Sequence, residues 1–213
     1  MPGSSQSVSG PNIALNTIMA EELGLFADEL EKAEDFDATL QKLVCQALTQ
    51  HQRIIFNGNG YKLNAVYTYI DDGKAHPAVL LIAGSGPSDY DETIGTLKPF
   101  KDIANGLAKE GINSLRVDKR TFSYAANFDI KCGIEEEYLD DCNAAIEYLK
   151  SQNISGLCLL GHSLGGQIAT ELAASIEGVD GIIYTTYTFT NMCAEPEFKV
   201  TNSEGVETEI TCN

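Results

Sequence analysis

The stretch LCLLGHSLGG, residues 157–166, decides the fold. It begins as a short apolar run, passes through a Gly-x-Ser-x-Gly sequence centred on Ser163, and continues into a helical pattern that reaches Ile176. Side chains at Gly161 and Gly165 would collide with neighbouring backbone, so glycine at both positions permits a sharp strand-to-helix turn. Such a turn raises the Ser163 hydroxyl above the carboxyl edge of a sheet. It also puts Ser163 at a helix N-terminus, where backbone N–H groups favour developing negative charge.

On both sides of this stretch, strand and helix patterns alternate. Continuous apolar runs predict buried strands, and apolar residues at helical spacing predict helices. The predicted strands are Ala78–Ala83, Ile112–Val117, Gly156–Leu160 and Val179–Thr185. The predicted helices are Pro99–Glu110, Ile134–Lys150 and Ser163–Ile176. This alternation predicts an α/β fold with a mostly parallel sheet and flanking helices, which we assign to residues 52–185.

Shorter patterns precede and follow this core. Arg53–Phe56 and Tyr61–Ile70 predict two strands joined at residues 57–60, where the sequence NGNG favours a hairpin turn. In the tail, residues 186–213, the alternation stops, but Phe198–Thr201 and Val206–Thr211 predict a small hairpin.

The N-terminal 50 residues contain no chemistry-bearing motif. Residues 1–11 are rich in Ser, Gly and Pro and are predicted to be disordered. Residues 12–50 predict a short helical segment of two helices, the first with Leu23, Phe26 and Leu30 at helical spacing. The second has Asp35 or Asp37 as its N-cap.

A second glycine-rich turn, GSGP at residues 84–87, follows the predicted strand Ala78–Ala83. When a serine occupies a strand–helix turn of the kind at Ser163, the oxyanion hole uses two backbone N–H groups. One belongs to the residue after the serine, and the other to the loop after the third strand. We therefore expect the N–H groups of Leu164 and Ser85 to be the donors. Each such donor contributes about 3–4 kcal/mol to an acyl-transfer transition state.

The chain resembles the α/β-hydrolases from about residue 52 to residue 185. The resemblance is carried by AGSGP after the third strand, by GHSLGG at the turn, and by the stretch IAGSGPSDYDETIG…KPFKDIANGLAKEGINSLRVDKR. Within that superfamily the chain is similar to bacterial esterase-like serine hydrolases described as serine-aminopeptidase-like or dienelactone-hydrolase-like. The resemblance implies hydrolysis of carboxylic esters, thioesters or amides of a small-molecule acyl substrate. The implied intermediate is an acyl-enzyme on Ser163, with His162 part of the turn and with no metal and no organic cofactor.

The family pattern also requires an acid and then a histidine after the serine. None of the three histidines follows Ser163. We expect His162 to pack beside the turn, His76 to lie at the opposite edge of the sheet, and His51 to be exposed. The α/β-hydrolase fold is therefore predicted to be C-terminally incomplete in this chain.

Several charged residues flank the predicted site. Asp118 follows the fourth strand at the carboxyl edge of the sheet, the edge on which Ser163 is expected. We expect it to position a loop and to pair with Arg120. Lys119 and Arg120 form the conspicuous basic pair there, and we expect them to pair with local acids rather than with a substrate carboxylate. Asp89 and Asp91 follow the GSGP turn, and we expect them to cap the loop or to form hydrogen bonds within it, with substrate contact as the alternative. Glu195 and Glu197 in the tail are candidate acids that could reach the carboxyl edge.

Three hypotheses follow for function. In the first, the chain is a serine hydrolase by descent and is incomplete, so its own activity is uncertain. In the second, it is an inactive fragment or pseudoenzyme that serves as a binding module. In the third, it is a minimal hydrolase in which another base serves Ser163. If the last strands are missing, the sixth strand is an exposed apolar edge, which predicts self-association unless the segment Phe198–Thr211 covers it.

Composition excludes several other classes. The net charge of −17 argues against nucleic acid and anionic membranes, which both need clustered cations. Apolar residues make up 43% of the chain, as in an ordinary globular core, and no run predicts a transmembrane helix or a secretory signal. Six cysteines without C-x-x-C spacing predict free thiols and a cytoplasmic location.

Overall fold

A single sheet organises the chain. The structure, a computed structural model, describes residues 35–127, 131–185, 197–201 and 207–211. The strands are β1 (Thr49–Gly58), β2 (Tyr61–Ile70), β3 (His76–Ile82), β4 (Asn113–Val117), β5 (Ile154–His162), β6 (Gly181–Thr185), β7 (Glu197–Thr201) and β8 (Glu207–Thr211). The α-helices are α1 (Phe36–Ala47), α2 (Pro99–Lys109), α3 (Arg120–Ser123), α4 (Asp141–Lys150) and α5 (Leu164–Ser175), and a π-helical segment, Ile134–Asp140, precedes α4.

The strand order is β1-β2-β4-β3-β5-β6-β7-β8. The four central strands, β4, β3, β5 and β6, run parallel. The outer pairs on both sides are antiparallel. This arrangement confirms the predicted α/β class and the mostly parallel core, since parallel neighbours require the helical crossovers that the alternating sequence supplies.

The strand β3 shows why its sequence is continuously apolar. Successive side chains of a strand point to opposite faces of the sheet. Ala78, Leu80 and Ile82 join the core on the face that also contains residues of α4 and α5. Val79 and Leu81 join the core that contains Phe100 and Ile103 of α2. Both faces of the sheet are thus covered, as the apolar run predicted.

Several predicted elements need correction, above all the first strand, the helical segment before it and the helix that begins at Ile134. The first strand begins at Thr49 rather than Arg53, because all ten residues of β1 pair in register with β2, from Thr49–Ile70 to Gly58–Tyr61. Residues 49 and 50 are therefore strand, not helix. The predicted helix Ile134–Lys150 is π-helical as far as Asp140. An apolar stripe does not distinguish a π-helical turn from an α-helical one over so few residues.

The edge of β6 is paired rather than exposed. The backbone of β7 pairs antiparallel with it, from Ile182–Thr201 to Tyr184–Lys199, and β8 pairs with β7 in turn. The predicted tail hairpin therefore exists, and it meets the condition under which β6 would not be an open edge. The exposed apolar edge at β6, which was the reason to expect self-association, is therefore covered by β7.

The helix α1 begins as predicted at Asp35, whose carboxylate accepts a hydrogen bond from Ala38 N–H at 3.0 Å. The predicted disorder at residues 1–11 and the helix around Leu23, Phe26 and Leu30 lie outside the described residues. Among the helices that are described, none is long and apolar enough to cross a membrane.

Candidate active site

The turn between β5 and α5 holds Ser163 in an unusual backbone conformation. Its φ is +52° and its ψ is −117°, a region that non-glycine residues rarely adopt. Two hydrogen bonds hold this backbone: Ser163 N–H donates to Thr185 O at 3.1 Å, and Gly166 N–H donates to Ser163 O at 3.0 Å. Ser163 is exposed at the N-terminus of α5. The serine is therefore raised from the sheet and faces solvent.

Close backbone approach explains the glycines of this turn. A Cβ atom at Gly161 would lie 2.2 Å from Gly165 O, and one at Gly165 would lie 2.2 Å from Ile82 O. These are the collisions that the sequence predicted. A Cβ atom at Gly166 would also lie 2.2 Å from the Tyr184 ring. The close packing of the elbow, residues 161–166, is thus possible because positions 161, 165 and 166 have no side chain.

The loop after β3 lies against the serine. A Cβ atom built on Gly84 would lie 3.4 Å from Ser163 Cβ, so the two residues are in close contact. Gly84 is buried and Ser85 is exposed. The predicted donors, the N–H groups of Ser85 and Leu164, are thus on segments that meet at Ser163. Within the described ranges, neither N–H has a backbone or side-chain acceptor.

Glu92 links this loop to the elbow, and the sequence reasoning missed it. Its φ is +51°, and its carboxylate is buried. One oxygen, Oε1, accepts a hydrogen bond from Gly84 N–H at 2.9 Å and lies 2.7 Å from His162 Nδ1. The other, Oε2, is buried without a hydrogen-bond partner among the described residues. No sequence pattern marks Glu92, because its partners are a backbone group and a residue 70 positions away.

Lys119 is buried behind the same loop. Its ammonium donates to Gly84 O at 3.0 Å, to Gly86 O at 2.6 Å and to Tyr138 Oη at 2.5 Å. Glu137 Oε2 lies 3.4 Å from it. Burial lowers the pKa of Lys119, and the charge of Glu137 opposes that shift. The pairing with a local acid agrees with expectation, whereas the bonds to the loop carbonyls had no signal in the sequence.

Arg120 pairs with Asp141 and not with Asp118, which corrects the expected pairing. Its Nε and one terminal nitrogen lie 2.8 and 2.5 Å from the two oxygens of Asp141, a bidentate geometry. Burial raises the pKa of Asp141 to about 6, although Arg120 acts in the opposite direction. The sequence could not reveal this pair because its two members are 21 residues apart along the chain.

Asp118 positions a loop, as expected, through other partners. Its carboxylate accepts hydrogen bonds from Tyr90 N–H at 2.7 Å and from Asn64 Nδ2 at 3.0 Å. Burial raises its pKa. The loop-capping roles predicted for Asp89 and Asp91 are also present. Asp89 accepts from the backbone and hydroxyl of Thr93, and Asp91 pairs with Arg116 and Lys98.

Comparison with known proteins gives matches to parts of this chain. Residues 93–190 match the family model Hydrolase_4, described as serine aminopeptidase, S33. Over 108 residues, half of this chain, the sequence is 44% identical to Esterase EstD of Thermotoga maritima. The chain has the α/β-hydrolase fold.

Two esterases of solved structure are similar to part of this chain. The Pyrococcus furiosus esterase Pf2001 superposes with a TM-score of 0.49 and 18% identity, over 63% of this chain and 48% of that one. Est1E of Butyrivibrio proteoclasticus gives 0.47 and 18%, over 61% and 48%. The matched segment covers 26% of the length of EstD, so the chain spans about a quarter of that relative.

The three histidines lie where their positions in the sequence predicted. His76 is at the amino end of β3, where Nε2 lies 2.9 Å from Asp72 and Nδ1 lies 2.9 Å from Gly111 O. His51 is exposed on the edge strand β1, with Nδ1 3.0 Å from Thr68 Oγ1. His162 packs beside the elbow against Glu92.

The remaining candidate acids add no detail to the site. Glu195 lies outside the described residues. Glu197 begins β7, where the backbone is described but the side chain is not. A small cavity lies at the carboxyl ends of β3 and β4, lined in part by Asp118, Lys119 and Tyr138. Among the described residues, no three His, Cys, Asp or Glu side chains are grouped so that they could hold a metal ion.

Proposed function

We propose that the chain carries the nucleophile and oxyanion site of a hydrolase that acts on carboxylic esters. The observation that carries the proposal is the backbone conformation of Ser163, φ +52° between β5 and α5, with its side chain exposed beside the loop after β3. Non-glycine residues bear such strain mainly at functional sites. Similarity to Esterase EstD supports the same substrate class.

In the proposed reaction, Ser163 Oγ attacks the acyl carbonyl carbon, and its proton passes to a general base. The carbonyl oxygen becomes an oxyanion that accepts hydrogen bonds from Ser85 N–H and Leu164 N–H. Collapse of this intermediate breaks the bond to the alkoxide, which leaves with a proton as the alcohol. Water then hydrolyses the acyl-enzyme, returning the carboxylic acid and the free hydroxyl.

The position of Leu164 supports its proposed role. It is the first residue of α5, so its N–H has no acceptor within the helix. The helix dipole adds a favourable field for negative charge at the same point. The proposal does not name the base, because His51 and His76 lie elsewhere in the fold and His162 contacts Glu92.

Fluorophosphonate labelling of the whole chain tests the proposal. Ser163 Oγ would form a bond to phosphorus as fluoride leaves, and intact mass would show one adduct. We expect the wild-type chain to be labelled and Ser163→Ala to remain unlabelled. Ser175→Ala is the matched control, because Ser175 is an exposed serine at the other end of α5. An unlabelled wild-type chain would reject the proposal, because Ser163 would then not be activated in this chain. The chain would be an inactive fragment or a binding module that keeps the turn.

A further inference from the structure

We infer that Lys119 and Tyr138 are positioning residues that orient the Gly84–Ser85 peptide so that Ser85 N–H faces the reacting group on Ser163. The inference rests on the proposed function and deepens it. In this role the buried ammonium of Lys119 and the buried phenol of Tyr138 fix the direction of Ser85 N–H, which donates a hydrogen bond to the oxyanion.

The first step is the fixed direction of the Gly84 carbonyl. Gly84 O accepts hydrogen bonds from Lys119 Nζ at 3.0 Å and from Tyr138 Oη at 2.6 Å. Both donors are buried, and the lysine also donates to the phenol. A hydrogen bond from a charged donor is about twice as strong as a neutral one. The carbonyl is therefore held toward the interior of the protein by two donors that also bind one another.

The second step follows from the geometry of the peptide group. A trans peptide is planar, and the N–H of one residue points opposite to the C=O of the residue before it. No cis peptide bond is present among the described residues. Because Gly84 O points to Lys119 and Tyr138, Ser85 N–H points away from them, toward the exposed side of the loop. That N–H has no acceptor within the described ranges, so it is free to bind an oxyanion.

The third step is the fixed position of the loop relative to the serine. Gly84 N–H donates to Glu92, which also contacts His162, the residue before Ser163. Lys119 N–H donates to Ser88 O at 2.9 Å, so the same residue holds the loop at a further point. Lys119 also makes three donor contacts, to Gly84, Gly86 and Tyr138, which uses all three protons of an ammonium. The side chain has no proton left to serve a substrate directly, which is why we assign positioning rather than catalysis.

The cleanest test replaces the phenol alone. Tyr138→Phe keeps the ring beneath the lysine, 4.2 Å from Nζ to the ring centroid, and removes the hydroxyl that donates to Gly84 O. The matched control is Tyr67→Phe, which removes another buried phenol that accepts from Asn113 Nδ2 at 3.1 Å, at the amino end of β4. Lys119→Met combined with Glu137→Gln extends the test without leaving a buried carboxylate unpaired.

Two readouts are required. With the fluorophosphonate probe, we expect Tyr138→Phe to lower the limiting labelling rate about 10- to 100-fold while the half-saturating probe concentration stays unchanged. Tyr67→Phe should label at the wild-type rate even if it unfolds at a lower temperature. In the free protein, NMR should show that the Gly84 carbonyl ¹³C shift moves upfield in Tyr138→Phe, because one hydrogen bond is lost.

The outcomes separate this inference from the proposed function. If the wild-type chain labels and Tyr138→Phe labels equally fast, the inference is overturned and the proposed function stands. If the wild-type chain does not label, the proposed function fails. In that case the ¹³C chemical shift of the Gly84 carbonyl tests the orientation of the Gly84–Ser85 peptide without any labelling. An unchanged shift in both Tyr138→Phe and the Lys119 double variant would overturn the inference.

Discussion

The elbow at residues 161–166 and the loop at residues 84–92 lie side by side, with Gly84 against Ser163, yet different interactions hold them. The elbow is held by tight backbone packing, with no room for a side chain at Gly161 or Gly165. The loop is held by buried ionic groups, among them Lys119 and Glu92. The elbow should therefore be sensitive to added volume, and the loop and its supports to lost charge.

The largest expected effect is at Arg120, the buried cation that follows the loop support Lys119 in the chain. Arg120→Met leaves the buried Asp141 carboxylate without its bidentate partner, and removing one member of a buried pair costs about 3–5 kcal/mol. Urea unfolding measures the change in free energy. Lys150→Met is the control, since the exposed pair Lys150–Glu147 contributes at most about 1 kcal/mol. Equal losses in the two variants would show that the buried pair is no more important than the surface pair.

The second effect is a pH dependence of stability that arises from Asp141. Burial raises the pKa of this residue from 3.8 to about 6. A raised pKa means that the folded state binds the proton more tightly than the unfolded state does. The stabilisation from this proton is complete below about pH 4 and is lost as the pH rises through about 6.

Stability measured from pH 4 to pH 7 in wild type and Asp141→Asn tests this dependence. The stability of the wild type minus that of the variant should decrease across the window. A constant difference for Asp141→Asn would contradict the buried, proton-binding environment described for Asp141.

The third effect tests the elbow by added volume. Gly165→Ala would place a methyl group 2.2 Å from Ile82 O, and overpacking against backbone should destabilise the fold by about 2–3 kcal/mol. Gly181→Ala is the matched control. Its Cβ atom would lie 3.4 Å from Cys158 Sγ in the neighbouring strand, which is an ordinary contact. Chemical denaturation of both variants checks this. Similar stability in the two would mean that the elbow relaxes easily.

The smallest expected effect concerns the backbone strain at Ser163. Glycine adopts φ near +52° without the steric cost that alanine meets, so Ser163→Gly should be more stable than Ser163→Ala by about 1 kcal/mol. At the helical position Ser175 the order should reverse, because glycine is about 1 kcal/mol less favourable than alanine in a helix. Thermal unfolding of the four variants provides the measurement. The same order at both sites would argue that Ser163 is unstrained.

The same contrast explains what the sequence could predict. The elbow was predictable because its cause is local: two glycines flank a serine between an apolar run and a helical pattern. The alternation of strands and helices is local too, and it predicted the α/β class with a mostly parallel sheet, while the motifs AGSGP and GHSLGG carried the resemblance to α/β-hydrolases. The supports of the loop were missed because Glu92, Tyr138 and the Gly84 carbonyl meet only in three dimensions. The Asp118–Arg120 pairing was wrong because charge and nearness along the chain do not fix the direction of a side chain.

The antiparallel pairs that flank the central strands bear on the order in which the chain folds. The hairpin β1–β2 joins neighbouring residues and should form within microseconds, whereas β3 pairs with β5 only when residues 76 and 154 meet. On the ribosome, β3 therefore leaves the exit tunnel long before β5 is synthesised. During that interval the backbone of β3 has β4 as a neighbour on one side only, and its N–H and C=O groups on the other side, together with its apolar side chains, lack their β5 partners. Nascent chains of this protein should need a chaperone most between the emergence of β4 and the completion of β5.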